Sequence, residues 1–200
     1  MSTVYVPEGS FGVLDHGEIP AHTADWSNGL VAVMTTGALI ATGIHTGPVR
    51  VQAISTAALP PSPDEEDPSW EEIIEVTVQA PHAELRVESL HDGVIGDLPL
   101  LSTQGPGPYR LRVHVRGREV ARDKVCHEPT EDYLLLVWPA GTATGTVILR
   151  SSEEIQEALQ TRVSPPLPAD DTLSAGERRD RIERDRLLRG GADPAPPPSA

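Results

Sequence analysis

Seven carboxylates fall between positions 64 and 75: Asp64, Glu65, Glu66, Asp67, Glu71, Glu72 and Glu75. Paired carboxylates can serve as general acid and base, but only where the surroundings drive their pKa values apart. Glu65 and Glu66 sit among Pro60, Pro61, Pro63 and Pro68, in a solvated stretch where nothing raises a pKa. Such a loop can instead meet positive charge. Its prolines limit the entropy lost on binding, and Trp70 is the residue type that anchors interfaces. The nearest cations in sequence are Arg50 and Arg86, and no Lys or Arg precedes Arg50, so the wider field has the same sign and steers a basic partner inward. Asp64, Glu65, Glu66, Asp67, Trp70 and Glu71 are therefore the candidate contact for a basic protein; the competing reading is a solubilising loop.

Other chemistries find less support. His16, His22, His45, His82, His91, His114 and His127 form no H-x-H, H-x-x-x-H or H-E-x-x-H spacing, so a metal site would need ligands gathered from separate strands. Cys126 and His127 are adjacent, and on extended backbone their side chains diverge, which disfavours a nucleophile pair. Gly105-Pro106-Gly107-Pro108 lacks the Lys-Ser/Thr of a phosphate loop, and its prolines remove N–H donors. No G-x-S-x-G elbow is present. The sequence thus points to a non-enzymatic protein with no metal and no cofactor. An arginine ladder, Arg110, Arg112, Arg116 and Arg118, lacks the aromatic surround of a nucleic-acid site. Its expected partners are the acids Glu71, Glu75, Glu84 and Glu88 on neighbouring strands.

The elements that carry these residues are short and alternating. Segments 3–6, 10–14, 30–35, 38–42, 49–56, 72–79, 85–89, 109–116, 133–138 and 146–149 read as strands, separated by Gly, Pro, Asn and Asp. Nine or ten strands without helical periodicity predict an all-β fold, an antiparallel β-sandwich or jelly-roll-like domain. In 109–116, Tyr109, Leu111, Val113 and Val115 face the core, with Arg110, Arg112, His114 and Arg116 toward water. In the 72–79 strand and its approach, Trp70, Glu72, Ile74, Val76 and Val78 share one face, and Glu71, Ile73, Glu75, Thr77 and Gln79 the other. Leu134-Leu135-Leu136-Val137-Trp138, apolar on both faces, reads as a central strand.

Charge and composition divide the chain into a β domain over 1–150, a short helix over 151–162 and a Pro/Arg-rich tail over 163–200. Capping-box patterns open helices over 153–161 and near 175–189, the second solvated, and 192–200 reads as disordered. Net charge is −14, which repels nucleic-acid phosphates and anionic membrane surfaces. One cysteine, no basic-then-apolar leader and no long apolar run predict a cytoplasmic location.

Trp70-Glu71-Glu72-Ile73-Ile74-Glu75-Val76, then Gly107-Pro108-Tyr109-Arg110-Leu111-Arg112-Val113, then Asp132-Tyr133-Leu134-Leu135 form an ordered set. That order resembles a family of actinobacterial β-sandwich proteins and, more distantly, is similar to the competence protein J family, acidic β-proteins that inhibit a DNA-entry nuclease. The resemblance spans about residues 3 to 140. It implies a nuclease inhibitor or immunity-type role and carries no catalytic residue over; the chain departs in its longer acidic loop and its C-terminal extension. The alternative function is a small-ligand or carbohydrate-binding sandwich with a pocket near Trp26, His45 and Trp138. A third is an enzyme whose ligands, from His16, His22, His45, His114 and His127, converge only in three dimensions.

Overall fold

The computed structural model describes residues 1–57, 60, 67–141 and 144–151. The strands in chain order are β1 (Ser2–Val6), β2 (Ser10–Asp15), β3 (Val31–Val33), β4 (Ala38–Ala41), β5 (Gly47–Ser55), β6 (Glu72–Ala80), β7 (Leu85–Ser89), β8 (Gly93–Val94), β9 (Gly107–Arg116), β10 (Asp132–Pro139) and β11 (Val147–Arg150). A single 3-10 turn, Ala21–Thr23, lies between β2 and β3. Among the described residues the fold is all-β, in two sheets. One has six strands in the order β1-β5-β10-β9-β6-β11, the other five in the order β3-β4-β2-β7-β8. Each segment read from alternation coincides with a strand; β8, only two residues long, is too short to show a period. The helices expected at 153–161 and near 175–189, and the tail at 192–200, lie outside the described residues.

Every pairing between named strands is antiparallel except that of β5 with β10, where Asp132 to Val137 run parallel to Arg50 to Ser55. Alternation records which face a residue occupies and not which way its strand runs, so the antiparallel expectation misses this pair. A parallel pair needs a long crossover, and here the chain from β6 to β9 supplies it.

One core joins the two sheets. Val4, Val49, Val51, Val76, Leu111, Val113, Tyr133 and Leu135 of the larger sheet belong to the same buried cluster as Phe11, Val13, Ile40, Leu85 and Val87 of the smaller. The Phe11 and Tyr133 rings meet edge to face, their centroids 5.1 Å apart, a geometry that adds to simple burial. As expected, β10 is central, between β5 and β9. A second cluster of Leu14, Ala32, Met34 and Leu39, with Trp26 against it, lies outside this core. No helix among the described residues is long and apolar enough to cross a membrane.

Candidate functional site

The polar face of β9 is the first correction to the sequence. Arg110, Arg112 and His114 are buried, the last to 0% exposure, although alternation placed them toward water. Their burial follows from the register: β6 sets Glu75 opposite Arg112 and Thr77 opposite Arg110. Glu75 accepts from Arg112 Nε at 2.7 Å through one oxygen and from Arg110 at 3.2 Å through the other. Arg110 also donates to Thr77 Oγ1 at 3.0 Å and to the carbonyls of Thr144 and Gly145. The Arg112 guanidinium lies 5.6 Å from the Trp138 ring. Carbonyls, a hydroxyl and a π-face help to accommodate two buried cations beside one carboxylate.

Of the acids expected to face the ladder, Glu75 does so. Glu71 instead accepts the Gly117 N–H at 2.8 Å, Glu84 pairs with His16 at 2.7 Å, and Glu88 lies on β7 in the other sheet. There burial pushes the Glu88 carboxyl up, with Arg86 opposing. Arg116 and Arg50 both bond Asp132, and Arg118 bonds the buried Glu72 at 2.6 Å. Burial opposes ionisation of Asp132, but its bonds to Arg50 and Arg116 prevail and hold its pKa below 3.8.

Of the candidate contact residues, Asp67, Trp70 and Glu71 are described, at the C-terminal end of the acidic run and just before β6; Asp64, Glu65 and Glu66 lie outside the described residues. Asp67 accepts the Ser69 N–H at 2.9 Å. That bond, with Arg116 and Arg150 nearby, holds its carboxyl below the ordinary value. Arg150 donates to the carbonyls of Asp67 and Trp70, at 3.3 and 2.7 Å, and Arg116 donates to Ser69 Oγ at 2.7 Å. Trp70 does not share the inner face of β6 with Ile74. Its half-buried ring lies under the Arg116 guanidinium at 4.9 Å and against the His114 ring at 5.6 Å. The bend at Glu71, between Trp70 and the start of β6, breaks the alternation, so counting by twos back from Ile74 fails there. Asp67 and Glu71 remain exposed on this braced segment.

A buried acid that sequence reading passed over lies on the opposite face of the larger sheet. Glu131, 0% exposed, accepts from Ile44 N at 2.6 Å, Gly43 N at 3.1 Å and the Tyr133 hydroxyl. Burial pushes its carboxyl up from 4.5, against these bonds and the charge of Arg118. The approach is close: a Cβ on Gly43 would stand 1.9 Å from the Arg118 carbonyl oxygen. A signal was available, because Glu131 has the same parity as the inward Tyr133, Leu135 and Val137.

The histidines are dispersed. His16 pairs with Glu84, His82 approaches Glu18 at 3.5 Å, and His91 bonds Asp92. His45 bonds Thr46, and His114 faces the Leu134 carbonyl. Among the described residues no group of three or more His, Cys, Asp or Glu is placed to hold a metal. Cys126 is half-buried beside an exposed His127. Trp26, His45 and Trp138 occupy three separate surroundings: the small apolar cluster, the Lys124 backbone and Arg112. A cleft of about 260 Å³ does exist, between Asp25, Ser27 and Asn28 on one side and Thr77, Thr144 and Thr146 on the other. No protein-family model matches the chain, and neither a curated protein nor a solved structure matches it.

Proposed function

We propose that this protein is a non-enzymatic binder of a basic protein partner, a nuclease inhibitor or immunity-type protein acting in the cytoplasm, with its two sheets packed as a jelly-roll-like sandwich. One observation carries this reading: among the described residues most cations are buried or half-buried, while most acids are exposed. Arg110, Arg112 and Arg118 are buried on Glu75 and Glu72, and Arg50 and Arg116 converge on Asp132. Glu8, Glu18, Asp25, Asp67, Glu71, Glu84, Asp92, Asp97, Glu119, Asp123 and Glu128 are exposed, whereas among the described cations only Arg122 and Lys124 are equally so. The fully exposed charges are therefore predominantly negative, and such a surface steers positive partners at a rate that salt lowers.

The foot of the acidic loop is the best-supported point of contact. Arg150 holds its backbone through the Asp67 and Trp70 carbonyls and Arg116 holds the Ser69 hydroxyl, and a pre-ordered segment loses less entropy on binding. A nuclease cleft that holds phosphates is basic, so an acidic surface on a fixed base can occupy it. The test is affinity capture from the source cell on the full chain and on a variant carrying Asp64→Asn, Glu65→Gln, Glu66→Gln and Asp67→Asn. A basic protein that elutes from the wild type at moderate salt and is not retained by the variant supports the proposal. Equal retention by both, at every salt concentration, overturns it.

A further inference from the structure

We propose that the cleft between Asp25-Ser27-Asn28 and Thr77-Thr144-Thr146 is a binding site for one small, uncharged polyol of monosaccharide size. It opens where the segment before β3 in one sheet faces β6 and the approach to β11 in the other. Its frame is fixed by side chains already engaged in the fold. Asn28 Oδ1 accepts from Leu30 and Val31 N–H, and its Nδ2 donates to the Val31 carbonyl. Thr77 Oγ1 accepts from Arg110 and from Thr144 N–H and donates to the Thr144 carbonyl.

Other groups in and beside the cleft do have capacity. Asp25 uses one carboxylate oxygen on Ser27 N–H, which leaves the other. The hydroxyls of Ser27, Thr144 and Thr146 have no recorded bond among the described residues, and all three residues are exposed. Gln79, two residues beyond Thr77 on the same face of β6, lies beside the cleft and does not line it; it is only 6% exposed, and its amide nitrogen has no acceptor among the described residues. A buried donor of this kind costs free energy until something accepts from it.

This mixture of donors and acceptors selects the ligand class. An anion meets the Asp25 carboxylate and finds no free cation, because Arg110 is already held by Glu75, Thr77 and two carbonyls. An ammonium ion would have only the Asp25 carboxylate to pair with, and that group is exposed, where water screening leaves an ion pair little net gain. Hydroxyl groups both donate and accept, and so suit every group present. At about 260 Å³ the cleft lies just below the usual range of ligand pockets, roughly 300–1,000 Å³, which admits one ring or a short linear polyol and excludes an oligomer.

The experiment is a titration of the isotopically labelled full chain, followed by amide chemical shifts, with D-glucose, D-galactose, myo-inositol and xylitol. Concentrations on the order of 10 mM detect affinities of about 1 mM. At least one probe should give saturable shifts confined to residues 25–28, 77–79 and 144–146. The double variant Ser27→Ala/Thr146→Val alters exposed side chains outside the frame, so its spectrum should stay dispersed while its affinity falls about tenfold. The proposal is overturned if no probe saturates those amides, if the double variant binds as well as the wild type, or if inorganic phosphate saturates them instead.

Discussion

Glu75 and Glu131 are carboxylates hidden on opposite faces of the same sheet, and they are accommodated in different ways. Glu75 answers charge with charge, holding two arginines on neighbouring positions of β9. Glu131 is held mainly by neutral donors, two backbone N–H groups and a phenol, with Arg118 as a more distant cation. The first arrangement fastens strand to strand; the second ties the 43–44 turn to the start of β10. Burial raises the Glu131 pKa against the bonds of its neutral donors, whereas at Asp132 the bonds to Arg50 and Arg116 outweigh burial and lower it. Burial alone therefore does not say what a buried acid does with pH.

The sharpest way to break the contrast is Glu131→Ala. It strands two N–H groups, the Tyr133 hydroxyl and part of the Arg118 field at once, and should cost about 4 kcal/mol in urea unfolding; a loss below about 1 kcal/mol would show that the cluster is not what holds the turn. Glu75→Ala comes next, at about 3 kcal/mol, because two buried cations lose their counter-charge while carbonyls and Thr77 still take some of their donors. If it equals or exceeds Glu131→Ala, the ranking of dipoles over ion pairs is wrong.

Acid and base limbs of the stability curve separate the two kinds of acid further. With its folded pKa raised above 4.5, Glu131 binds more protons in the native state than in the unfolded chain, so stability falls as pH climbs from about 4.5 through that raised value. Asp132, lowered below 3.8, acts in the opposite sense: its contribution is present above 3.8 and disappears as pH drops through the folded value. Glu131→Gln should flatten the first limb and Asp132→Asn the second, in denaturation series run across pH; exchanged effects would refute the assignment. The smallest effect belongs to Arg150→Ala, about 1 kcal/mol. It should appear as faster amide exchange at residues 67–71, and unchanged exchange there would mean that Arg150 does not brace the loop.

Much of this was legible in the chain. Period-two alternation located the strands and the inner face of β9, and the doubly apolar 134–138 stretch marked the sheet's centre. What alternation omits is neighbourhood. Glu75 on β6, Glu84 just before β7 and Glu88 on β7 look alike as acids in or beside strands, yet β9 pairs with β6 and β10 and not with β7, so of these three only Glu75 reaches the ladder. Trp70 was misplaced because the bend at Glu71 resets the count, and Glu131 was missed because an acid next to a strand is ordinarily read as solvated. The cleft was invisible for a related reason: Asp25 and Thr146 lie far apart in sequence and are joined only by the arrangement of the sheets.

The parallel pairing of β5 with β10 bears on how the chain reaches its fold. Val51 must find Tyr133, and a closure of that span is a slow, non-local step whose entropy cost precedes its reward. Until β10 arrives, β5 and β9 both present open edges, the usual template for pairing with other chains. A chain that stops short of Asp132 would therefore hold most of its strands yet remain prone to aggregate.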